Sequence, residues 1–434
     1  MLFDGLEKKN NRYMVGYDLG EYESQISYCS LVNPAAETVP VVAGSEQYNI
    51  PTALCKRTEV SQWFYGKEAL RVAEMEEGTL VTGLLEKACA GELVEIEGRE
   101  YDPIALLTLF VKRSFGLFSM QASLDKIEIL VITVRDLDGL IVSVLEQVVS
   151  GLGLKTDRIF FQSYKESFYY YMLHQPAELW TGEPVIFDMQ KDKMTTYILE
   201  CNKRTIPTVT FSCEADFSQF PIEDENAMDQ EFYEVAASVM YGREISVVFL
   251  IGDGFRQDNL DVSLRFLCKD GRRTFKGNNL YSKGAAYGAA ERLCPSKRGK
   301  EYVFLGIQKL KSNLGFQMMR DGQESYKTLL DAGVNWYDAK AKCQFYLETG
   351  NKIFIAVTPL TNIRATQTAG GKYPVIYEEI TLEGLPERPK KTTRLELRAA
   401  MSDVQTVQIE IEDLGFGEIV KPTHQIWKKT IILN

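Results

Sequence analysis

Two stretches of the chain place a carboxylate at the tip of a strand–turn–strand unit. YMVGYDLGEYESQISYC, Tyr13 to Cys29, carries Asp18 and Gly20 at its turn. PVIFDMQKDKMTTYILEC, residues 184–201, carries Asp188 at the corresponding place. Such a tip suits a phosphate tail: glycine lets backbone N–H groups come close, and a carboxylate holds a hydrated divalent cation. The first turn also carries Glu21 and Glu23, two negative charges where a phosphate would lie. Like charges in a partly dry cleft cost on the order of a few kcal/mol. The plainer reading makes Asp18 and Asp188 turn aspartates bonded to nearby backbone N–H groups. It makes Glu21 and Glu23 exposed turn carboxylates instead of a metal site.

The rest of the chain bounds the chemistry. It has 434 residues and a net charge of −11, with 45% hydrophobic and 25% charged residues. That length suits two or three domains with a sizeable core. The acidic balance gives no electrostatic reason to bind nucleic acid or an anionic membrane. No apolar run reaches the length of a membrane span, and MLFDGLEKKNNR lacks the apolar core of a signal peptide. Eight cysteines are scattered without a CxxC pair, which predicts buried reduced thiols in a cytoplasmic protein. Two histidines, His174 and His424, leave little material for a Ser-His-Asp triad or a His-rich metal site. Neither has a visible partner in the sequence.

Strands and helices alternate up to about residue 300. Strands are predicted near 13–19, 24–31 and 48–55, then a charged helix in GKEALRVAEMEEG, 66–78. Glu97-Gly98 reads as a hairpin tip, and Asp102-Pro103 as a helix N-cap followed by proline at the first helical position. KIEILVITV, 126–134, is a strand buried on both faces, followed by a helix over 136–150. DRIFFQSYKESFYYYML, 157–173, predicts a short strand feeding an aromatic-rich helix, with Phe168 to Tyr171 as its core face. After the second hairpin come an acidic loop, PIEDENAMDQE (221–231), a buried strand EISVVFLIGDGF (244–255) and a small-residue helix GAAYGAAERLC (284–294). The paired hairpins suggest an internal duplication with a cleft between the two turns. Beyond residue 300, alternating strands (KCQFYLE, KIFIAV, TRLELRA, TVQIEIED) separated by Thr349-Gly350, Gly370-Gly371 and Gly415-Phe416-Gly417 predict an antiparallel sandwich. KRGKEY, 297–302, reads as the linker and YVFLGI as an apolar hinge segment.

In this order the pieces resemble a diverged Hsp70-like (DnaK-type) protein of the actin/Hsp70/sugar-kinase superfamily, over nearly the whole chain. GYDLGEYES resembles the first phosphate loop and VIFDMQKDKMTTYIL the second. IPTAL, YGKEALRVA, EGTLVTGLLEKACAGE and VEIEGREYDP resemble the family's early segments, and KIEILVITVRD the strand before the first connecting helix. VVFLIGDGFR resembles the adenosine motif, and SKGAAYGAAERL the second connecting helix. LEGLPERPKKTTRLELRAAMSDVQTVQIEIEDLGFGE resembles the end of the peptide-binding β-sandwich. The resemblance implies a two-lobed α/β fold of duplicated ribonuclease-H-like lobes, the second truncated, and then an antiparallel β-sandwich. The implied bounds are 1–182, 183–300 and 301–434, with no helical lid before Asn434.

It also implies site residues. Asp18, Gly20, Asp188, Gly252, Gly254 and Arg256 would hold ATP or ADP, with Asp18 and Asp188 on magnesium through water. Lys87 and Asp188 are the catalytic candidates, and Arg256 would pack on the base. Several positions depart from the pattern. Glu21 and Tyr22 replace two hydroxyl residues, no glycine follows Asp188, Asp253 replaces a glycine, and Gln162 replaces the acidic residue. Glutamine bonds a water but cannot take its proton. Only about sixty residues separate Asp188 from Phe249, where the family holds an extra subdomain. Gly284 and Gly288 are either cleft residues or close helix packing.

The expected function is an Hsp70-like interaction or chaperone-related protein with a degenerate nucleotide cleft and little or no hydrolysis. The sandwich would bind a polypeptide segment or protein partner, without nucleic acid or membrane insertion. One alternative is an active ATP-dependent chaperone using Asp18, Lys87, Asp188 and Lys191. Another is an actin-like assembly protein, which the sandwich disfavours.

Overall fold

The structure, a computed structural model, describes residues 12–221, 224–255, 260–277, 279–320, 322–359 and 375–433. The chain divides into two compact units, Met1–Val303 and Phe304–Asn434. The division falls inside the apolar YVFLGI segment.

The first unit opens with the hairpin β1 (Tyr13–Leu19) and β2 (Glu23–Ser30). Short strands β3 (Glu37–Thr38) and β4 (Ile50–Pro51) pair with β2. Next comes a block absent from the second half of the unit: β5 (Leu54–Arg57), β6 (Trp63–Tyr65), α1 (Gly66–Glu74), β7 (Gly78–Val81), α2 (Leu84–Ala90) and the hairpin β8 (Val94–Ile96)/β9 (Arg99–Tyr101). Then α3 (Pro103–Phe118), β10 (Ile127–Val134), α4 (Gly139–Leu152), β11 (Ile159–Ser163) and α5 (Tyr164–Leu173) complete the first half. The Asp102 side chain accepts from Ile104 N, so α3 starts where the Asp-Pro pair predicts.

The second half runs β12 (Glu183–Gln190), β13 (Lys193–Asn202), β14 (Thr208–Ser218), α6 (Glu225–Met240), β15 (Ile245–Ile251), α7 (Asp261–Leu267), β16 (Arg273–Lys276) and α8 (Leu280–Leu293). A short α9 (Lys297–Glu301) and β17 (Tyr302–Phe304) lead to the unit boundary. Part of the expected acidic loop is therefore helix. Met228 and Phe232 are buried, and Asp229 accepts from the backbone of Val262 and Ser263 at the start of α7.

The two large sheets repeat one plan. The first has the order β11-β10-β1-β2-β3 and the second β16-β15-β12-β13-β14, with β17 at its edge. In each, the first hairpin is antiparallel and the next two strands lie parallel to its first strand. Both first strands are buried on both faces, with alternate side chains serving different helices. Tyr17 stacks on Phe115 of α3 at 5.1 Å, while Met14 and Gly16 meet α8. Phe187 packs on Phe232 of α6, and Val185 and Met189 share that core.

The last helices are exchanged. α8, from the second half, covers the first sheet, with Ala285, Ala286 and Ala289 in one core with Met14, Ile129 and Val131. α5, from the first half, sends Phe168 and Tyr171 against Phe249 of the second sheet.

The second unit holds two four-stranded antiparallel sheets. One is β19 (Gln323–Leu330), β18 (Ser312–Arg320), β21 (Lys352–Pro359), β22 (Ile376–Thr381), in that order. The other is β20 (Lys340–Leu347), β23 (Thr393–Met401), β24 (Thr406–Gly415), β25 (Ile426–Ile432). Their alternating apolar residues, among them Leu314, Ile355, Leu397 and Ile411, form one core. The expected turn at Gly370-Gly371 lies outside the described residues.

All eight cysteines are free, but the expected burial holds only for Cys29 and Cys55; Cys89, Cys201, Cys213 and Cys343 are partly buried, and Cys268 and Cys294 are exposed, at the ends of α7 and α8. Among the described residues no helix is long and apolar enough to cross a membrane.

Candidate functional site

Asp18 stands one residue before the end of β1 and Asp188 two residues before the end of β12, on the face turned to α5 and α8. Asp18 lies opposite Gln25 and Thr133, and Asp188 opposite Thr195 and Ile251. Both are buried, at 5% and 7% exposure. Each is capped by a tyrosine from the first turn of its own half's last helix. The Tyr164 hydroxyl donates to Asp18 Oδ1 at 2.8 Å, and the Tyr281 hydroxyl to Asp188 Oδ2 at 2.9 Å. The two rings stack at 3.8 Å between centroids and 9° between planes. Tyr197 meets Tyr281 edge-on, and Gln190 Nε2 also donates to Asp188 Oδ1 at 3.0 Å. The two halves of the unit thus meet at a tyrosine pair with a carboxylate at each end.

Burial is the main force on the acid groups. It pushes Asp18 up to about 8; the Tyr164 bond opposes it, and the charges of Asp188 and Glu23 add to it. Burial also raises Asp188, opposed by the Tyr281 and Gln190 bonds and by Arg135. Both capping phenols are held well above their ordinary range, by burial first and then by the carboxylates, so they remain donors.

The hairpin tips converge beside the pair. Lys191, at the β12–β13 turn, sets its Nζ 4.0 Å from the Tyr22 ring of the β1–β2 turn. A Cβ at Gly20 would lie 2.1 Å from the Glu23 carbonyl oxygen, so this turn is closed on itself. Gly252 has φ +99°, and a Cβ there would meet the Met189 carbonyl oxygen at 2.0 Å. At Gly254 it would meet Met189 Cγ and Sδ at 2.4 Å. The space beside both glycines is therefore taken by the fully buried Met189. Asp253 is occupied as well, accepting from Lys191 N at 3.0 Å.

Lys87 is exposed on α2, and Arg256 lies outside the described residues. Gln162 is fully buried and bonded at both ends: its Nε2 donates to Ser167 Oγ, and its Oε1 accepts from Arg292. Gly284 and Gly288 are packing positions. A Cβ on Gly284 would sit 2.0 Å from the Ser167 carbonyl oxygen, and one on Gly288 2.6 Å from Gln162 Oε1. Phe168 is core. His174 does have a partner: its Nε2 lies 2.9 Å from Glu291 Oε1, and its ring stacks on Tyr287.

Sequence reasoning missed Tyr164, Tyr281 and Met189. The signal was present: each half carries a tyrosine at the start of its final helix, in SYKES and LYSK. The two correspond by their place in the last helix of each half and not by spacing from the aspartates, which is 146 residues in one half and 93 in the other.

These residues do not fit a magnesium–nucleotide complex in this conformation. Both carboxylates are bonded to phenols, burial favours the protonated form of Asp18, and no glycine follows Asp188 in its turn. Among the described residues, no group of three or more His, Cys, Asp or Glu side chains is placed to hold a metal ion.

The architecture defines a two-sheet α/β unit with a sealed, tyrosine-capped carboxylate pair, followed by an all-antiparallel unit. Residues 35–307 match the model of a family of unknown function (DUF5716), C-terminal, and the chain belongs to that family. Residues 309–433 match the model of a domain of unknown function (DUF8552). The two matches meet within a few residues of the boundary between the units. No curated protein matches the chain.

Proposed function

We propose that the chain is a diverged, DnaK-type Hsp70-like interaction protein of the actin/Hsp70/sugar-kinase superfamily. Its first unit would be a pair of ribonuclease-H-like lobes with a degenerate nucleotide cleft. Its second would be a β-sandwich that holds a polypeptide segment of a partner, in the cytoplasm. Two sheets of equal strand order and direction, each ending its first strand near a buried aspartate, support the lobe reading. Two four-stranded sheets sharing one core support the sandwich reading.

The observation that carries the non-hydrolysing reading is the stacked Tyr164–Tyr281 pair bonded to both aspartates. Turnover needs carboxylates free for a hydrated cation and a proton acceptor near the attacking water. In this reading the first unit is a scaffold. A ligand that binds only the folded state raises the melting temperature by mass action. The expected outcome with millimolar Mg-ATP is a shift below about 1 °C, with phosphate release no faster than the protein-free blank. A clear shift together with steady phosphate release would sink the reading.

A further inference from the structure

The junction between the halves of the first unit carries more than the stack. Arg135, just after β10, donates from Nη2 to Asp216 Oδ1 of β14 at 2.6 Å. Thr195 Oγ1 donates to the same oxygen at 2.6 Å. Lys165, in the first turn of α5, pairs with Glu214 of β14 and lies 3.3 Å from Asp136. Arg135 and Asp216 are 47% and 62% exposed, so this rim meets solvent, whereas the rings behind it are buried. Across the tips, Lys191 over Tyr22 adds a third contact. Arg135–Asp216, Lys165–Glu214 and Lys191–Tyr22 each tie a residue of the first half to one of the second, and none requires a bound molecule. The exchanged helices α5 and α8 supply the axis, since they touch backbone to backbone at Ser167 and Gly284.

We propose that the Tyr164–Tyr281 stack, with the Arg135–Asp216 and Lys165–Glu214 pairs at its rim, is a built-in latch. It holds the two halves closed around Asp18 and Asp188 in place of a ligand, and the rim charges set how firmly it stays shut. The stack excludes water from the aspartates. The Arg135–Asp216 pair is half-exposed while Lys165–Glu214 is more shielded, at 13% and 23%, so the first weakens most with salt, whose screening length falls from about 10 Å at 0.1 M to about 3 Å at 1 M. This inference rests on the reading of the cleft as one closed without nucleotide. No nucleotide enters its test, so a failed latch and an unexpected ATPase are separate results.

The test is a distance measurement across the tips. Glu21→Cys and Lys193→Cys take spin labels on exposed side chains, with Cys268→Ser and Cys294→Ser removing the exposed native thiols. The otherwise native protein at 0.1 M salt is expected to show one narrow distance. Tyr164→Ala with Tyr281→Ala is expected to add a population longer by about 5 Å or more, the scale of an element sliding one helical turn. Arg135→Ala with Lys165→Ala, a milder change at the rim, is expected to populate the same longer distance, as is 1 M salt on the native residues. If the alanine pair at the stack fails to fold, the rim variant and the salt titration decide. An unchanged distance distribution in any folded arm overturns the latch.

Discussion

At the scale of single residues, Asp18 is expensive. A carboxyl whose folded value is about 8, against roughly 4 in an unfolded chain, binds a proton in the fold that the open chain has lost between those values. Stability therefore falls as pH rises from about 4 to about 8 and levels off above, a loss on the order of 5 kcal/mol. Asp18→Asn keeps an acceptor for Tyr164 and removes the charge. Its melting temperature should exceed that of the native protein by at least about 3 °C at pH 9, with the gain shrinking toward pH 5; calorimetry at both values checks it. Equal gains at the two values would mean that Asp18 is not the proton binder. The aspartates themselves were legible, because a carboxylate and glycine between two apolar runs are a local pattern. Their tyrosine partners were not. Tyr164 lies 146 residues from Asp18 along the chain, and phenols read as core until a structure shows what their hydroxyls face.

At the scale of elements, the crossing of α5 and α8 decides what glycine does. Gly284 admits no Cβ, because backbone atoms of Ser167 fill the place and cannot swing aside. Gly116 sits in the interior of α3 with nothing within 4 Å of a built Cβ. Alanine at 284 should cost about 3 kcal/mol through overpacking. Alanine at 116 should gain roughly 0.5 kcal/mol from helix propensity. Opposite shifts in denaturant midpoint are expected, and a neutral Gly284→Ala would show that the helices do not touch there. Helix starts such as Asp102-Pro103, and strands such as 126–134, could be read ahead because capping chemistry and apolar runs act over a few residues. The exchange of the final helices could not. GAAYGAAERL looks the same whether it covers its own sheet or the other.

At the scale of the whole molecule, the two units carry opposite responses to acid. In the second, Arg388 grips Asp413 through two bonds of 2.7 and 2.8 Å, and the same carboxylate accepts from Gly415 N, Thr423 N and Thr423 Oγ1. Burial raises Asp413, but these donors outweigh it and hold the group well below the ordinary carboxylate range. Its contribution is present above about pH 4 and is lost as pH falls toward the depressed value. Breaking such a pair from one side costs about 3–5 kcal/mol. Arg388→Ala should therefore lower the melting transition of the second unit at pH 7 and leave that of the first in place. Scanning calorimetry would show it, and a shift confined to the first unit's transition would contradict the assignment.

The helix exchange also orders events while the chain is being made. Ser27 and Ser282, 255 positions apart along the chain, bond at 2.8 Å, and the face of the first sheet that holds Met14 and Gly16 is finished only by α8. A polypeptide emerging from the ribosome must carry that greasy surface uncovered until nearly the entire first unit has been translated. Early sticking, more than late instability, is then the hazard this chain has to survive.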